Sequence, residues 1–400
     1  MKRTGFASIL RSYLSAAAAI AVLYAGTSGC THAQVRFELR PVETITLKNQ
    51  QFLIGDKNGN PAILAGELRI PKPGTDKLPA VILVHGSGGI GPATDRWAQE
   101  INSVGVATFI LDSFSGRGIA NTITDQSQLE SLAMMVDAYR ALGALARHPR
   151  IDASRIAVMG FSKGAVAALY SSNERFRKTY GPLDVQFAAH IGLYAPCYVT
   201  YRDDDKTTGK PIRLFHGIPD DWVPIEPCRS YVERLKKSGA DVALAEYSGA
   251  YHAYDNFSLK EPVKLPQAQT SRNCLLVEGD AGQIMNSKTG KPFDLNDPCM
   301  ERGTTVAYNE AAATATATLG TAPVPSTTTM RSPADWPAWM CDSTAVATSV
   351  RPMLCVWSAN HMASRSSFST QARVWLRCDS PTSFSVEPRI RSTTQSLPLL

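Results

Sequence analysis

No C-x-x-C pair occurs among the eight cysteines of this 400-residue chain. A zinc ribbon or a thioredoxin-like redox site, each built on closely spaced thiols, is therefore excluded. The N-terminal apolar stretch at 13–26 is too short to span a bilayer, which takes about 20 residues. Positive charge is sparse through the middle of the chain. Of a net charge of +6, residues 1–33 contribute +3 and residues 320–400 another +3. No basic face is left for nucleic acid. Lysine is absent after Lys291.

What is present begins with an export signal. Lys2, Arg3 and Arg11 precede the Ala-rich stretch, and Thr31-His32-Ala33 offers a cleavage site before Gln34. The expectation is a signal peptide over 1–33, a periplasmic or secreted product, and no stable membrane span after cleavage. Thr27-Ser28-Gly29-Cys30 partly resembles a lipobox, so lipoprotein anchoring at Cys30 is the rival reading. Export makes disulfides persistent. Cys197, Cys228, Cys274 and Cys299 allow three connectivities. Pairing Cys197 with Cys228 and Cys274 with Cys299 closes moderate loops between patterned segments, with free buried thiols as the alternative.

Strands are predicted at 42–47 and 63–70 as a hairpin, then at 80–84, 106–111, 187–193, 212–215 and 242–247. Helices are predicted at 93–104, 129–145 and 227–237. Such alternation implies a mostly parallel sheet with helices on both faces, an α/β fold. Residues 257–300 read as an irregular insertion, and 302–319 as a final helix that decays into weak Ala-Thr alternation. From about residue 319 to 400 the chain turns Ser/Thr/Pro-rich, with four tryptophans in no periodic pattern. This low-order tail reads either as an out-of-frame continuation or as a module stitched by Cys341, Cys355 and Cys378.

One pentapeptide stands out. The apolar run 156–159 breaks into Gly160-Phe161-Ser162-Lys163-Gly164, and an Ala-rich helical segment follows. A G-x-S-x-G between strand and helix is the setting of a nucleophile elbow. A serine hydroxyl needs a base and a group to orient that base. In the α/β-hydrolase order the acid and then the histidine follow the serine. Asp220, on the loop after the strand at 212–215, is the candidate acid, with Asp221 as alternative. His252, after the last predicted strand, is the candidate base. The oxyanion hole is expected from the backbone N–H of Lys163 and that of Ser87, with Gly88 second. Ser87 lies in His85-Gly86-Ser87-Gly88-Gly89, where His85, Gly86 and Gly88 support the loop. Asp203, Asp204 and Asp205 read as a solvated charge run. His85, His216, Asp220 and His252 match no familiar metal spacing, so neither metal nor organic cofactor is implied.

These motifs, together with Asp220-Asp221-Trp222-Val223-Pro224 and Tyr251-His252-Ala253-Tyr254, resemble the dienelactone-hydrolase-like branch of the α/β-hydrolases over roughly residues 40–318. The namesake enzymes use a cysteine nucleophile. With Ser162 in its place, the resemblance implies general carboxylic esters rather than cyclic dienelactones. The reading is an exported serine esterase acting on a small-molecule ester. A peptidase or acyltransferase on the same scaffold is the enzymatic alternative, and a non-catalytic exported binding protein the other.

Overall fold

A computed structural model describes residues 35–319. The signal segment with Cys30, and the tail with Cys341, Cys355 and Cys378, lie outside the described residues. Eight strands form the main sheet: β1 (Arg36–Thr46), β2 (Asn60–Ile70), β3 (Leu78–Val84), β4 (Ala107–Asp112), β5 (Ile151–Phe161), β6 (His190–Leu193), β8 (Ile212–Gly217) and β9 (Val242–Tyr247). Their order is β1-β2-β4-β3-β5-β6-β8-β9. β1 and β2 are antiparallel to their neighbours, and β3, β4, β5, β6, β8 and β9 run parallel to one another.

Alternation divides the side chains of this sheet between two cores. In β3, Ala80, Ile82 and Val84 enter one cluster while Val81 and Leu83 enter the other. β4 and β5 do the same, with Phe109 and Val158 on the first face and Ile110 and Met159 on the second. Strands covered on both faces must read as continuous apolar runs, which is why they stand out in sequence. The first face is covered by α3 (Ser131–Ala146), α4 (Lys163–Tyr170) and α6 (Glu226–Lys237). Opposite lie α2 (Pro92–Ser103) and α7 (Glu310–Leu319). Two shorter helices, α1 (Asn49–Ile54) and α5 (Glu174–Tyr180), pack Phe52 against Phe176.

Three expectations change. The link between β1 and β2 contains α1 as well as a turn. Residues 257–300 are not irregular: β10 (Val263–Thr270) pairs with β14 (Glu301–Val306), and β7 (Val199–Thr200), β11 (Leu276–Glu278), β12 (Ile284–Asn286) and β13 (Lys291–Pro292) form a four-stranded sheet. Consequently the segment 302–319 is not one helix. Its first part is β14, which buries Thr304 and Val306 by period-two alternation, and only Glu310–Leu319 is helical. α7 persists despite its weak Thr content because Thr316 Oγ1 meets the hydroxyls of Tyr254 and Tyr247 at 2.9 and 3.1 Å. Tertiary contacts override propensity here.

The cysteines are joined as Cys197–Cys228 and Cys274–Cys299. The first bridge ties the chain after β6 to α6; the second closes the insertion. Among the described residues, no helix is long and apolar enough to cross a membrane.

Candidate active site

The loops at the carboxyl ends of β3, β5, β6, β8 and β9 converge, and these loops bear the predicted residues. Open α/β sheets bind ligands at that edge. Ser162 sits between β5 and α4 with φ +52° and ψ −117°, a backbone state that costs a non-glycine residue about 1–3 kcal/mol. The two flanking glycines make the turn sterically possible. A Cβ at Gly160 would lie 2.1 Å from the Gly164 carbonyl oxygen, and one at Gly164 would lie 2.2 Å from that of Val84. Those contacts press the elbow against itself and against the end of β3.

His252 Nε2 lies 2.9 Å from Ser162 Oγ, and its Nδ1 lies 2.8 Å from Asp220 Oδ2. An ionised carboxylate only accepts, so Nδ1–H donates to Asp220 and leaves Nε2 to accept from the serine hydroxyl. The other oxygen of Asp220 accepts the backbone N–H groups of Trp222 and Val223, both at 2.9 Å. Burial alone would raise the Asp220 carboxyl. The adjoining His252 and His216, through charge and hydrogen bonds, instead hold it well below the usual carboxylate range. The imidazole of His252 is flanked by the rings of Tyr194 and Trp222, 4.6 and 4.8 Å away. Tyr194 is itself anchored, its hydroxyl donating to buried Asp255 at 2.9 Å.

Asp221 is engaged elsewhere. Its carboxylate accepts from Thr305 N–H at 2.7 Å and Thr305 Oγ1 at 2.9 Å, fastening β14 to the acid loop. Asp204 is buried rather than solvated and receives a hydrogen bond from Arg234 at 2.8 Å.

The loop after β3 lies against the elbow. A Cβ on Gly86 would come within 3.3 Å of Ser162 Cβ, whereas one on Gly88 would find open space short of Ile123 at 3.8 Å. His85 is buried, and burial pushes its pKa down. Its Nδ1–H donates to Gly86 O at 2.8 Å while Nε2 accepts from Ser113 N–H at 3.1 Å. Both ring nitrogens are thus committed to shaping this loop. The Ser87 hydroxyl bonds to the side-chain amide of Gln126. Lys163 opens α4, where a backbone N–H has no intrahelical acceptor.

The side chain of Lys163 is a feature that sequence reasoning missed. It is buried, and its ammonium donates to Thr122 Oγ1 (3.2 Å), Gln126 O (3.1 Å) and Gln126 Oε1 (3.0 Å). Burial pushes its pKa down to about 7, with Glu130 and Asp125 opposing the shift. Gln126, Gln269 and Tyr194, which also surround the site, lie in no motif. Only Trp222, inside the acid-loop motif, was close to a signal.

Ser162 opens onto a cleft of about 1250 Å³, bordered by Ser87, Lys163 and Trp222 from the main domain and by Phe293, Leu295 and Met300 from the insertion. Among the described residues, no group of three or more His, Cys, Asp or Glu is placed to hold a metal ion.

The dienelactone hydrolase family model matches residues 64–272, just over half of the chain, a stretch that takes in Ser162, Asp220 and His252. A Bradyrhizobium sp. protein described as a probable 2-oxo-3-(5-oxofuran-2-ylidene)propanoate lactonase is 24% identical over 196 residues, which are 45% of this chain and 75% of that protein. A dienelactone hydrolase-like promiscuous phosphotriesterase from metagenomic libraries aligns with TM-score 0.42 and 16% identity, covering 55% of this chain and 85% of its own. Esterase 2 of Thermogutta terrifontis, phosphonylated by cyclosarin, aligns with TM-score 0.42 and 17% identity over the same shares. On the family match, this chain is an α/β-hydrolase and belongs to the dienelactone hydrolase family.

Proposed function

We propose that this hydrolase cleaves carboxylic esters through an acyl-enzyme on Ser162. The observation that carries the reading is the continuous relay Ser162–His252–Asp220, at 2.9 and 2.8 Å, mounted on a positive-φ elbow. Ser162 Oγ bonds to the ester carbonyl carbon as its proton passes to His252 Nε2. Asp220 holds the resulting imidazolium. The N–H groups of Lys163 and Ser87 take the oxyanion, a contribution of about 3 kcal/mol for each well-placed donor. The carbon–oxygen bond to the alcohol then breaks, and His252 returns the proton to the departing oxygen. Water, deprotonated by the same histidine, releases the acid and restores the serine.

A serine nucleophile, where the family's namesake enzymes carry cysteine, supports general esters over cyclic dienelactones. Two disulfides, a bond type that persists in oxidising compartments, support placing the enzyme outside the cytoplasm. The test is release of p-nitrophenol from short acyl esters beside p-nitroaniline from matched amides. Ester turnover lowered about 10⁴-fold or more by Ser162→Ala, with amides untouched by the native enzyme, is the expected result. Faster amide than ester turnover would favour a peptidase instead.

A further inference from the structure

We propose that the Lys163 side chain is a positioning residue that binds the oxyanion loop to the nucleophile elbow through Thr122 and Gln126. The inference deepens the serine-hydrolase reading above and rests on it. It concerns the ammonium group, separately from the backbone N–H of the same residue.

All three ammonium protons are spent on one loop, at Thr122 Oγ1, Gln126 O and Gln126 Oε1. That loop grips Ser87 twice. Thr122 N–H donates to Ser87 O at 2.8 Å, and the Gln126 amide and Ser87 hydroxyl bond each other at 3.1–3.2 Å. The two residues that would supply the oxyanion donors are thereby held in one unit. The tie continues outward to the base. Gln126 N–H donates to Gln269 Oε1 at 2.8 Å, Gln269 N–H to Ile123 O at 2.9 Å, and Trp222 Nε1–H to Gln269 O at 2.9 Å. Trp222 in turn flanks His252.

The surroundings suit positioning better than stability. Among the described residues no carboxylate forms an ion pair with Lys163, so a buried cation is solvated by neutral oxygens alone. Asp125 and Glu130 face it from the loop ahead of α3, but each has other company. Glu130 lies 3.7 Å from Lys48 Nζ, and the Asp125 carboxylate accepts from Ser127 N–H at 3.0 Å and from the Ser127 hydroxyl at 2.5 Å. His85, behind the oxyanion loop, is kept neutral by burial. With a folded pKa of about 7 against 10.5 for the free side chain, the ammonium destabilises the native state in full below pH 7. That cost is relieved as pH rises from about 7 towards the unfolded value. Above pH 7 the neutral amine has two N–H groups for three oxygens, and the tie slackens.

Lys163→Met keeps the backbone N–H and removes the tie. In this variant kcat for a p-nitrophenyl ester should fall by about 10- to 100-fold with KM within about twofold, since small misplacements of reacting groups cost that much. The native enzyme should lose kcat as pH rises through about 7, and this limb should be missing from the variant. The variant's melting temperature at pH 6 should be no lower than native. Native kcat with the alkaline limb retained would overturn the proposal. So would a loss of kcat accompanied by a lowered melting temperature, which marks a merely structural role. Should Lys163→Met not fold, Gln126→Leu removes the side-chain link from Lys163 through Gln126 to the Ser87 hydroxyl, and native kcat in that variant overturns the proposal equally. Ser162→Ala run alongside separates the two claims: activity surviving in Ser162→Ala defeats the esterase reading, whatever Lys163 does.

Discussion

At the scale of single residues, neighbours of the same type do different work. Asp220 and Asp221 are adjacent, yet one orients His252 and the other secures Thr305. Asp220→Asn should therefore lower kcat by about 10³- to 10⁴-fold, because an amide stabilises the wrong imidazole tautomer. Asp221→Asn should leave kcat near native and lower the melting temperature, since its cost falls on the β14 contact, about 1–2 kcal/mol. Steady-state kinetics with thermal melts of both variants checks this; a catalytic collapse in Asp221→Asn would reverse the assignment. The acid limb of stability follows with a definite sign. The Asp220 carboxyl is lowered on folding, so its contribution is present above the ordinary carboxylate pKa and is lost as pH falls below it. Ser162, His252 and Asp220 were legible in the sequence because a motif and a fixed chain order announce them. The Lys163 ammonium was not, because its partners Thr122 and Gln126 are unremarkable residues brought close only by folding.

At the scale of elements, legibility tracked burial. β3, β4 and β5 lie between two cores and read as unbroken apolar runs. The strands of the insertion do not, because β11, β12 and β13 are only two or three residues long and β13 is exposed. Their pairings are also non-local: β7 meets β11 across more than 70 residues of chain, with Val199 opposite Leu276. No local period can announce such a sheet. The insertion nevertheless walls the cleft with Phe293, Leu295 and Met300, and Cys274–Cys299 closes it. Replacing both cysteines with serine should release a loop whose closure is worth about 3 kcal/mol. Because the loop borders the cleft and not the relay, KM should rise several-fold while kcat changes less. Equal losses in kcat with unchanged KM would contradict the insertion's place in substrate binding.

At the scale of the whole molecule, the sheet converts distant sequence into one site. β5 delivers Ser162, β8 the loop with Asp220 and β9 the loop with His252, all at the same carboxyl edge, and parallel pairing of β5, β6, β8 and β9 sets their spacing. That is why the order of motifs along the chain sufficed to place them in space, while cleft size and acyl preference, which depend on loops scattered along the chain, stayed hidden. The central claim is that this machinery makes Ser162 a nucleophile. Its most direct test is reaction of the folded protein with a fluorophosphonate, followed by intact-mass and peptide-mass analysis. A single adduct on Ser162 is expected, absent from a folded Ser162→Ala variant and strongly slowed in His252→Ala. Labelling that persists in Ser162→Ala, or a native enzyme that takes up no label, would contradict it.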